Sequence, residues 1–289
     1  LYDCPLAISE SEAALIKYNA KATQVDYLPI TFSPVFLNNS YSAGPVFIAA
    51  DNPFNIQAYL FLASRIVPLL LHQLPHLTID VIGEVTRKLV AVPGIRLSGF
   101  VENLAGIYEH AGFALCPIIG GTGMSVKVVE AMAHGLPVVV LRNATQDTVV
   151  THGVNGFIAN NAKEFAAFTL MLCNDRLLCS RLGGAARKTV GYLFSNQVFV
   201  DTLTRILADQ HKKKKDFIPV PVAQRHDRYS GKISRQRLKV IFDISVLGLA
   251  QCEPSSRTGV FRVVEHLARG LAESPEVELH FCSTQHVSE

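Results

Sequence analysis

The stretch 116–141, CPIIGGTGMSVKVVEAMAHGLPVVVL, constrains the fold of this chain more than any other. It reads as a strand end, a glycine loop, a helix and a second strand. Residues 113–116 close an apolar run of strand type. Gly120, Gly121 and Gly123 then crowd four positions, where a backbone without Cβ atoms can approach a ligand closely. From Met124 the spacing turns helical, with Val126, Val129 and Ala133 recurring three to four apart. Gly135 and Pro137 stop the helix, as a C′ glycine followed by proline does. Residues 138–141 are all β-branched or aliphatic, the mark of a strand buried on both faces of a parallel sheet.

A glycine loop that opens a helix presents free N–H groups and the positive end of the helix dipole, a setting suited to anions. Lys127 and Glu130 lie three apart and so share a helix face. The cation suits a phosphate, and the carboxylate can accept hydrogen bonds from sugar hydroxyls. A tight turn with a surface salt bridge explains the same residues without a ligand, and spacing alone does not separate the two.

Taken in order, the chain alternates strands and helices. Strands are expected at 45–50, 77–82, 95–97, 113–116 and 138–141. Helices are expected at 56–74, broken at Pro68, and at 103–110, 124–134, 162–173, 175–182, 185–193 and 195–210. That alternation predicts an α/β fold: a parallel sheet with helices on both faces. Ligands of such sheets lie beyond the carboxyl ends of the strands, which selects the loops 51–55, 83–85, 99–102 and 120–125. Gly83 and Val101 enter the candidate set in this way. Asn55 enters too, although an asparagine there can equally serve as the helix N-cap.

Four segments follow from composition. Residues 1–44 read as a strand, a helix starting near Ser9, a second strand and a polar connection. Residues 45–210 are the main α/β domain. Between 209 and 239 ten Lys or Arg face three Asp, a net +7, so the remainder sums to −4 within a formal +3. The basic character is therefore local, and 211–237 is expected to be a flexible basic tether. It lacks the aromatic interleaving of single-strand binders, so no nucleic-acid partner is expected. Attraction to an anionic membrane face is its functional alternative. Residues 238–289 read as strand, helix and strand, a unit that needs neighbours to cover its faces. The six cysteines show no metal-type spacing, and their scatter fits a reducing, cytoplasmic setting. No metal site and no cofactor are expected.

The segment GTGMSVKVVEAMAHGLPVVV resembles the donor site of the retaining family 4 glycosyltransferases, which have the GT-B fold. The resemblance implies that Glu130 holds the ribose of a nucleotide sugar. It also implies that Gly121, Thr122, Gly123, Met124 and Ser125 meet the diphosphate or sugar through backbone N–H groups. Many members carry a second glutamate eight positions before the ribose-binding one. Thr122 stands there in this chain, and the arginine and lysine pair of other members is absent, which leaves phosphate duty to Lys127 and the helix N-terminus. DNPFN, containing Asn55, is similar to a further donor-domain segment. Gly99-Phe100-Val101 resembles the stretch that meets the nucleobase, and HGVNGFI resembles a hairpin that follows the donor strand. SRTGVFR is similar to the start of a GT-B amino-terminal domain.

The resemblance implies a Rossmann-like GT-B donor domain within a tandem glycosyltransferase. Residues 1–44 would be the tail of one amino-terminal domain and 238–289 the partial start of another. The chain does not begin with Met and is read as a fragment. The expected activity is transfer of a hexosyl group, with retention, from a nucleotide sugar to a glycan or lipid-linked acceptor in polysaccharide or glycoconjugate synthesis. The family's catalytic histidine lies in its amino-terminal domain, so no catalytic residue is assigned and the fragment alone is expected to be inactive. A non-catalytic scaffold module and a GT-B nucleotide-sugar epimerase stand as alternatives.

Overall fold

The computed structural model describes residues 5–19, 24–120, 125–142, 149–216, 238–243, 268–272 and 277–282, with backbone alone over 210–216 and 238–243 and at 277, 279, 281 and 282. The chain opens with β1 (Leu6–Ala7), α1 (Glu10–Asn19) and β2 (Asp26–Tyr27), the two strands pairing in parallel. Ser9 starts α1 as its sequence context predicts, its Oγ accepting the Glu12 N–H at 3.1 Å.

Next come β3 (Val46–Ile48), α2 (Pro53–Phe61), a π-helical turn (Leu62–Ile66) and α3 (Val67–Gln73). They lead to β4 (Ile79–Ile82), a short 3₁₀ helix (Glu84–Lys88), β5 (Ile95–Leu97), α4 (Ala105–His110) and β6 (Ala114–Cys116). The domain is completed by α5 (Val126–Ala133), β7 (Val138–Leu141), β8 (Gly156–Ala159), α6 (Ala162–Asn174), α7 (Arg176–Leu193) and α8 (Asn196–Asp216). Six strands form one sheet in the order β5-β4-β3-β6-β7-β8, and every pairing in it is parallel. The expected α/β fold class is the one observed. From β3 the chain builds outward through β4 and β5; from β6 it builds the opposite way through β7 and β8. The order therefore reverses between β3 and β6, and in open α/β sheets ligands bind beyond the carboxyl ends at such a reversal.

Strand alternation divides the core. Phe47, Val81, Leu115, Val139 and Phe157 face α2, α3 and α6. Val46, Ile82, Cys116, Val138 and Val140 face α4, α5 and the later half of α7.

Pro68 does not divide the first long helix. Lacking an N–H, it breaks one backbone bond, and the π-helical turn just before it absorbs the mismatch. Pro53–Gln73 is thus a helical stretch of 21 residues holding an 18-residue window of mean hydropathy 1.5, enough by length and composition to cross a bilayer. Ala58, Leu62, Ile66 and Leu70 of this helix are fully buried against the sheet, as in a core helix.

Three further differences have local causes. Gly183-Gly184 does not split α7, because Gly183 is where the helix meets the turn before β7. A Cβ there would lie 2.0 Å from the Gly135 carbonyl oxygen. The 151–155 turn forms, with Val154 N–H bonded to Thr151 O at 3.0 Å, but it leads into β8, which pairs parallel to β7. It is not a hairpin. Finally, α8 continues to Asp216, so the lysine run starts as helix, in keeping with the helix propensity of lysine.

The polar connection 31–44 is a strap across the helices. Val35 N–H bonds to Ala133 O and Ser40 N–H to Glu109 O, each at 2.8 Å. Asn39 Nδ2 donates to Tyr108 O at 2.9 Å and to His134 O at 3.1 Å. Arg187 from α7 donates to Asn39 Oδ1 at 2.5 Å and to His134 O at 3.2 Å, with its guanidinium 5.3 Å above the Phe36 ring. Arg187→Ala is expected to cost about 1–3 kcal/mol, since it removes charged donors from two part-buried acceptors. Urea unfolding measures this, and an unmoved midpoint would show that the strap adds no stability.

Near the end of the chain β9 (Leu238–Asp243) and β10 (Val277–Cys282) pair in parallel. The helical stretch 268–272 before β10 buries Ala268 and Leu271. A Cβ on Gly270 would come within 2.6 Å of the Phe199 ring, so this stretch rests on α8. Thr258 and Gly259 lie outside the described residues.

Candidate functional site

The site is assembled from the ends of adjacent strands. After β3 the chain turns into α2 through Asn52, which is the N-cap: its Oδ1 accepts the Asn55 N–H at 2.9 Å. Capping therefore falls to Asn52 and not to Asn55. Asn55 is buried, at 3% exposure, and its Nδ2 donates to Ala50 O at 2.7 Å. It shapes the loop from within.

After β4, Gly83 adopts φ 122°, ψ 179°, a conformation open in practice to glycine alone. Its N–H donates to Gly99 O at 2.6 Å, which joins the loops after β4 and β5. Thr86 Oγ1 closes the turn on Gly83 O at 2.7 Å. Val85 is fully buried in the core, and Lys88 pairs with Asp51 across the β3 loop at 2.7 Å. Val101 is half-buried against the α5-side core.

After β6 lies the segment expected to matter most. Gly121, Thr122, Gly123 and Met124 fall outside the described residues. Ser125, Lys127 and Glu130 are described. Ser125 Oγ stands 3.8 Å from Cys116 Sγ at the end of β6. Lys127 is half-buried as a residue. Its Nζ has no contact with solvent and no hydrogen-bond partner among the described residues. Desolvation pulls its ammonium down from 10.5 to about 8, opposed in part by the Cys116 sulfur. Burial correspondingly pushes the Cys116 thiol up. Glu130 lies three residues further along α5 and is 7% exposed.

A buried, unpartnered ammonium is costly to maintain in a folded protein. Structural lysines escape that cost by reaching water or a carboxylate. Lys127 does neither among the described residues, and it stands in the first turn of a helix whose dipole already disfavours a cation. What it can do chemically is receive an anion.

His134, which follows the helix, has no such position. Its ring stacks on Tyr108 at 4.4 Å and its Nδ1 meets Glu130 O at 2.9 Å. Desolvation, then the Arg187 charge, pushes it down to about 4. It is a neutral packing residue at neutral pH.

Sequence reasoning did not single out Glu84. Its signal is place alone: it follows the glycine that ends β4. One of its carboxylate oxygens, Oε1, is buried without a partner among the described residues. A cavity of about 510 Å³ lies at the opposite end of the strands, lined by Gly44, Leu77, Gly112, Phe113 and Arg176. These residues precede or lie beyond the strand starts, so that cavity is separate from the strand-end loops.

The family described as Glycosyl transferases group 1 matches residues 45–175, which hold the whole sheet and the loops at its carboxyl end. Among solved structures, S. aureus TarM superposes with a TM-score of 0.59 at 14% identity, over 69% of this chain and 43% of TarM. HepE of Anabaena gives 0.55 at 17% identity, over 72% and 63%. Sucrose-phosphate synthase of Thermosynechococcus elongatus gives 0.58 at 17% identity, over 74% and 59%. The chain spans less than two thirds of the length of each. Its parallel sheet is the Rossmann-like architecture of GT-B glycosyltransferases, and the family match falls on the residues that form that sheet and its carboxyl-end loops.

Proposed function

We propose that this chain carries the donor-binding domain of a retaining glycosyltransferase, which moves a hexosyl group from a nucleotide sugar to a glycan or lipid-linked acceptor. The observation that carries the reading is Lys127 Nζ, buried and without a hydrogen-bond partner among the described residues, at the start of α5 beside the point where strand order reverses. The group 1 family match over the same residues supports it. So do the structural neighbours TarM, HepE and the pneumococcal O-GlcNAc transferase GtfA, whose structures hold UDP.

In this reading the donor set is Asn55, Gly83, Val101, residues 121–125, Lys127 and Glu130. Lys127 and the N–H groups opening α5 face the diphosphate, and Glu130 faces the ribose. During transfer the bond from the anomeric carbon to the β-phosphate oxygen breaks, and the acceptor hydroxyl oxygen bonds to that carbon and gives up its proton to the departing diphosphate or to solvent. Negative charge grows on the departing diphosphate. A fixed cation in a dry site stabilises that charge more than the same cation would in water. No cofactor is needed beyond the donor itself. The parent is read as a tandem cytoplasmic transferase of polysaccharide or glycoconjugate synthesis, with its basic segment at the anionic membrane face.

Calorimetry of the full chain with UDP, GDP and ADP tests this. At least one nucleoside diphosphate is expected to bind, and Lys127→Ala to weaken it about ten- to hundredfold through loss of a charged contact. Glu130→Ala is expected to weaken it by a smaller factor. Affinity unchanged in both variants would favour a scaffold module. Ligand charge restores the lysine proton, so binding near pH 8 should take up a proton and affinity should fall as pH rises above about 8. Titrations in buffers of different ionisation enthalpy read that uptake directly.

A further inference from the structure

The carboxyl end of the sheet holds two charged groups with buried, unpartnered atoms among the described residues: Lys127 Nζ and Glu84 Oε1. They lie on either side of the strand-order reversal. Lys127 follows β6, Glu84 follows β4, and β3 runs between those strands. Neighbouring strands lie about 4.8 Å apart, so two spacings separate the strand ends by roughly 10 Å. A ligand that meets both groups must be anionic at one end and carry hydrogen-bond donors at the other, since a carboxylate only accepts. Diphosphate, ribose and base follow one another in that order across such an interval.

The loop around Glu84 is built to hold it there. Gly83 is locked by its φ of 122° and by its N–H bond to Gly99 O, and Val85 is anchored in the core. The nearby cation Lys88 is engaged by Asp51, which leaves Glu84 without it. The bases differ in what they offer a carboxylate. The Watson–Crick edge of guanine carries two adjacent donors, N1–H and the N2 amino group. Uracil offers a single N3–H between two carbonyl oxygens, which a carboxylate repels. Adenine offers a donor beside an acceptor.

We propose that Glu84 reads the nucleobase of the donor and selects guanine. This rests on the reading that Lys127 holds the donor diphosphate. The full chain should bind GDP at least tenfold more tightly than UDP or ADP. In Glu84→Gln, calorimetry should show GDP weakened about ten- to hundredfold, the usual effect of losing hydrogen bonds to a charged group, and UDP moved less than threefold. Glu84→Ala should act alike, and a thermal melt at the wild-type temperature confirms that each variant is folded. Two results would overturn the assignment while leaving donor binding intact. One is binding of all three nucleotides within threefold of one another, sensitive to Lys127→Ala. The other is an equal loss for all three in Glu84→Gln, which would place the carboxylate on the ribose. Absence of binding by every nucleotide would overturn both readings.

Discussion

Lys127→Met should make this protein more stable and unable to hold a nucleoside diphosphate. Methionine keeps the length and the apolar stem of lysine and removes only the charge. At pH 7 the lysine is charged both folded and unfolded, and folding strips its ammonium of water without giving it a hydrogen-bond partner among the described residues. The folded proton is held up to about pH 8 and the unfolded one up to about 10.5. Between those values the unfolded chain binds more protons, so wild-type stability rises with pH across that window. Below it the penalty is present in full, on the order of 2–4 kcal/mol for a depression of this size. The methionine variant lacks the penalty and the slope. Its gain in stability should be largest at pH 7 and should shrink toward pH 10. A protein that bears such a cost for no gain in stability is expected to use the group in binding. Urea unfolding at pH 7 and pH 10, with nucleotide titration at pH 7, checks both halves. A variant less stable than wild type at pH 7 would make the lysine a structural residue and remove the main support for an anion site.

How much of this was legible in the sequence depends on the range of the forces involved. The strand at Val138–Leu141 was readable to the residue, because four aliphatic side chains buried on both faces leave no other choice. The stop of α5 was equally plain, since Gly135 takes φ 81° and Pro137 follows two residues later. Short-range chemistry of this kind carries its own signal. The misreadings share a different cause. Gly183-Gly184 resembles a helix break until the Gly135 carbonyl is seen pressed against Gly183, a contact across 48 positions of sequence. Asn155-Gly156 is a turn signal, but whether the next strand runs parallel or antiparallel is decided by β7. Asn52 and Asn55 both suit a cap, and only the loop path decides that Asn52 takes the role and Asn55 ties down Ala50. Lys127 was picked out from its place behind the glycines, whereas the isolation of its Nζ depends on which side chains fail to reach it. Glu84 shows the limit. One acidic residue after a strand-ending glycine is unremarkable in sequence, and it becomes notable only because its Oε1 is buried with no hydrogen-bond partner among the described residues.

The other large effect is expected at Gly83, where one methyl group should disrupt fold and site together. In Gly83→Ala the new Cβ would lie 2.1 Å from the Ala49 carbonyl oxygen and 2.9 Å from its carbon. Both atoms belong to backbone at the end of β3, so no rotamer change relieves the clash. At φ 122°, ψ 179° the backbone is also unfavourable for any residue with a Cβ, by about 1–3 kcal/mol before the clash is counted. The loop must then pull away from β3, releasing the bond from Gly83 N–H to Gly99 O and with it the junction of the β4 and β5 loops. A loss of more than about 3 kcal/mol is expected, in the range reserved for strained or overpacked sites. The fraction that stays folded should bind nucleotide poorly, because Glu84 moves with the loop. Gly99→Ala is the matched control. Gly99 also has positive φ, 73°, but a Cβ there would meet nothing within 4 Å. Its cost should stop at the left-handed penalty of about 1–2 kcal/mol. Urea midpoints for the two alanine variants separate steric contact from backbone strain. Equal losses would mean that the close approach of β4 to β3 does not hold this end of the sheet together.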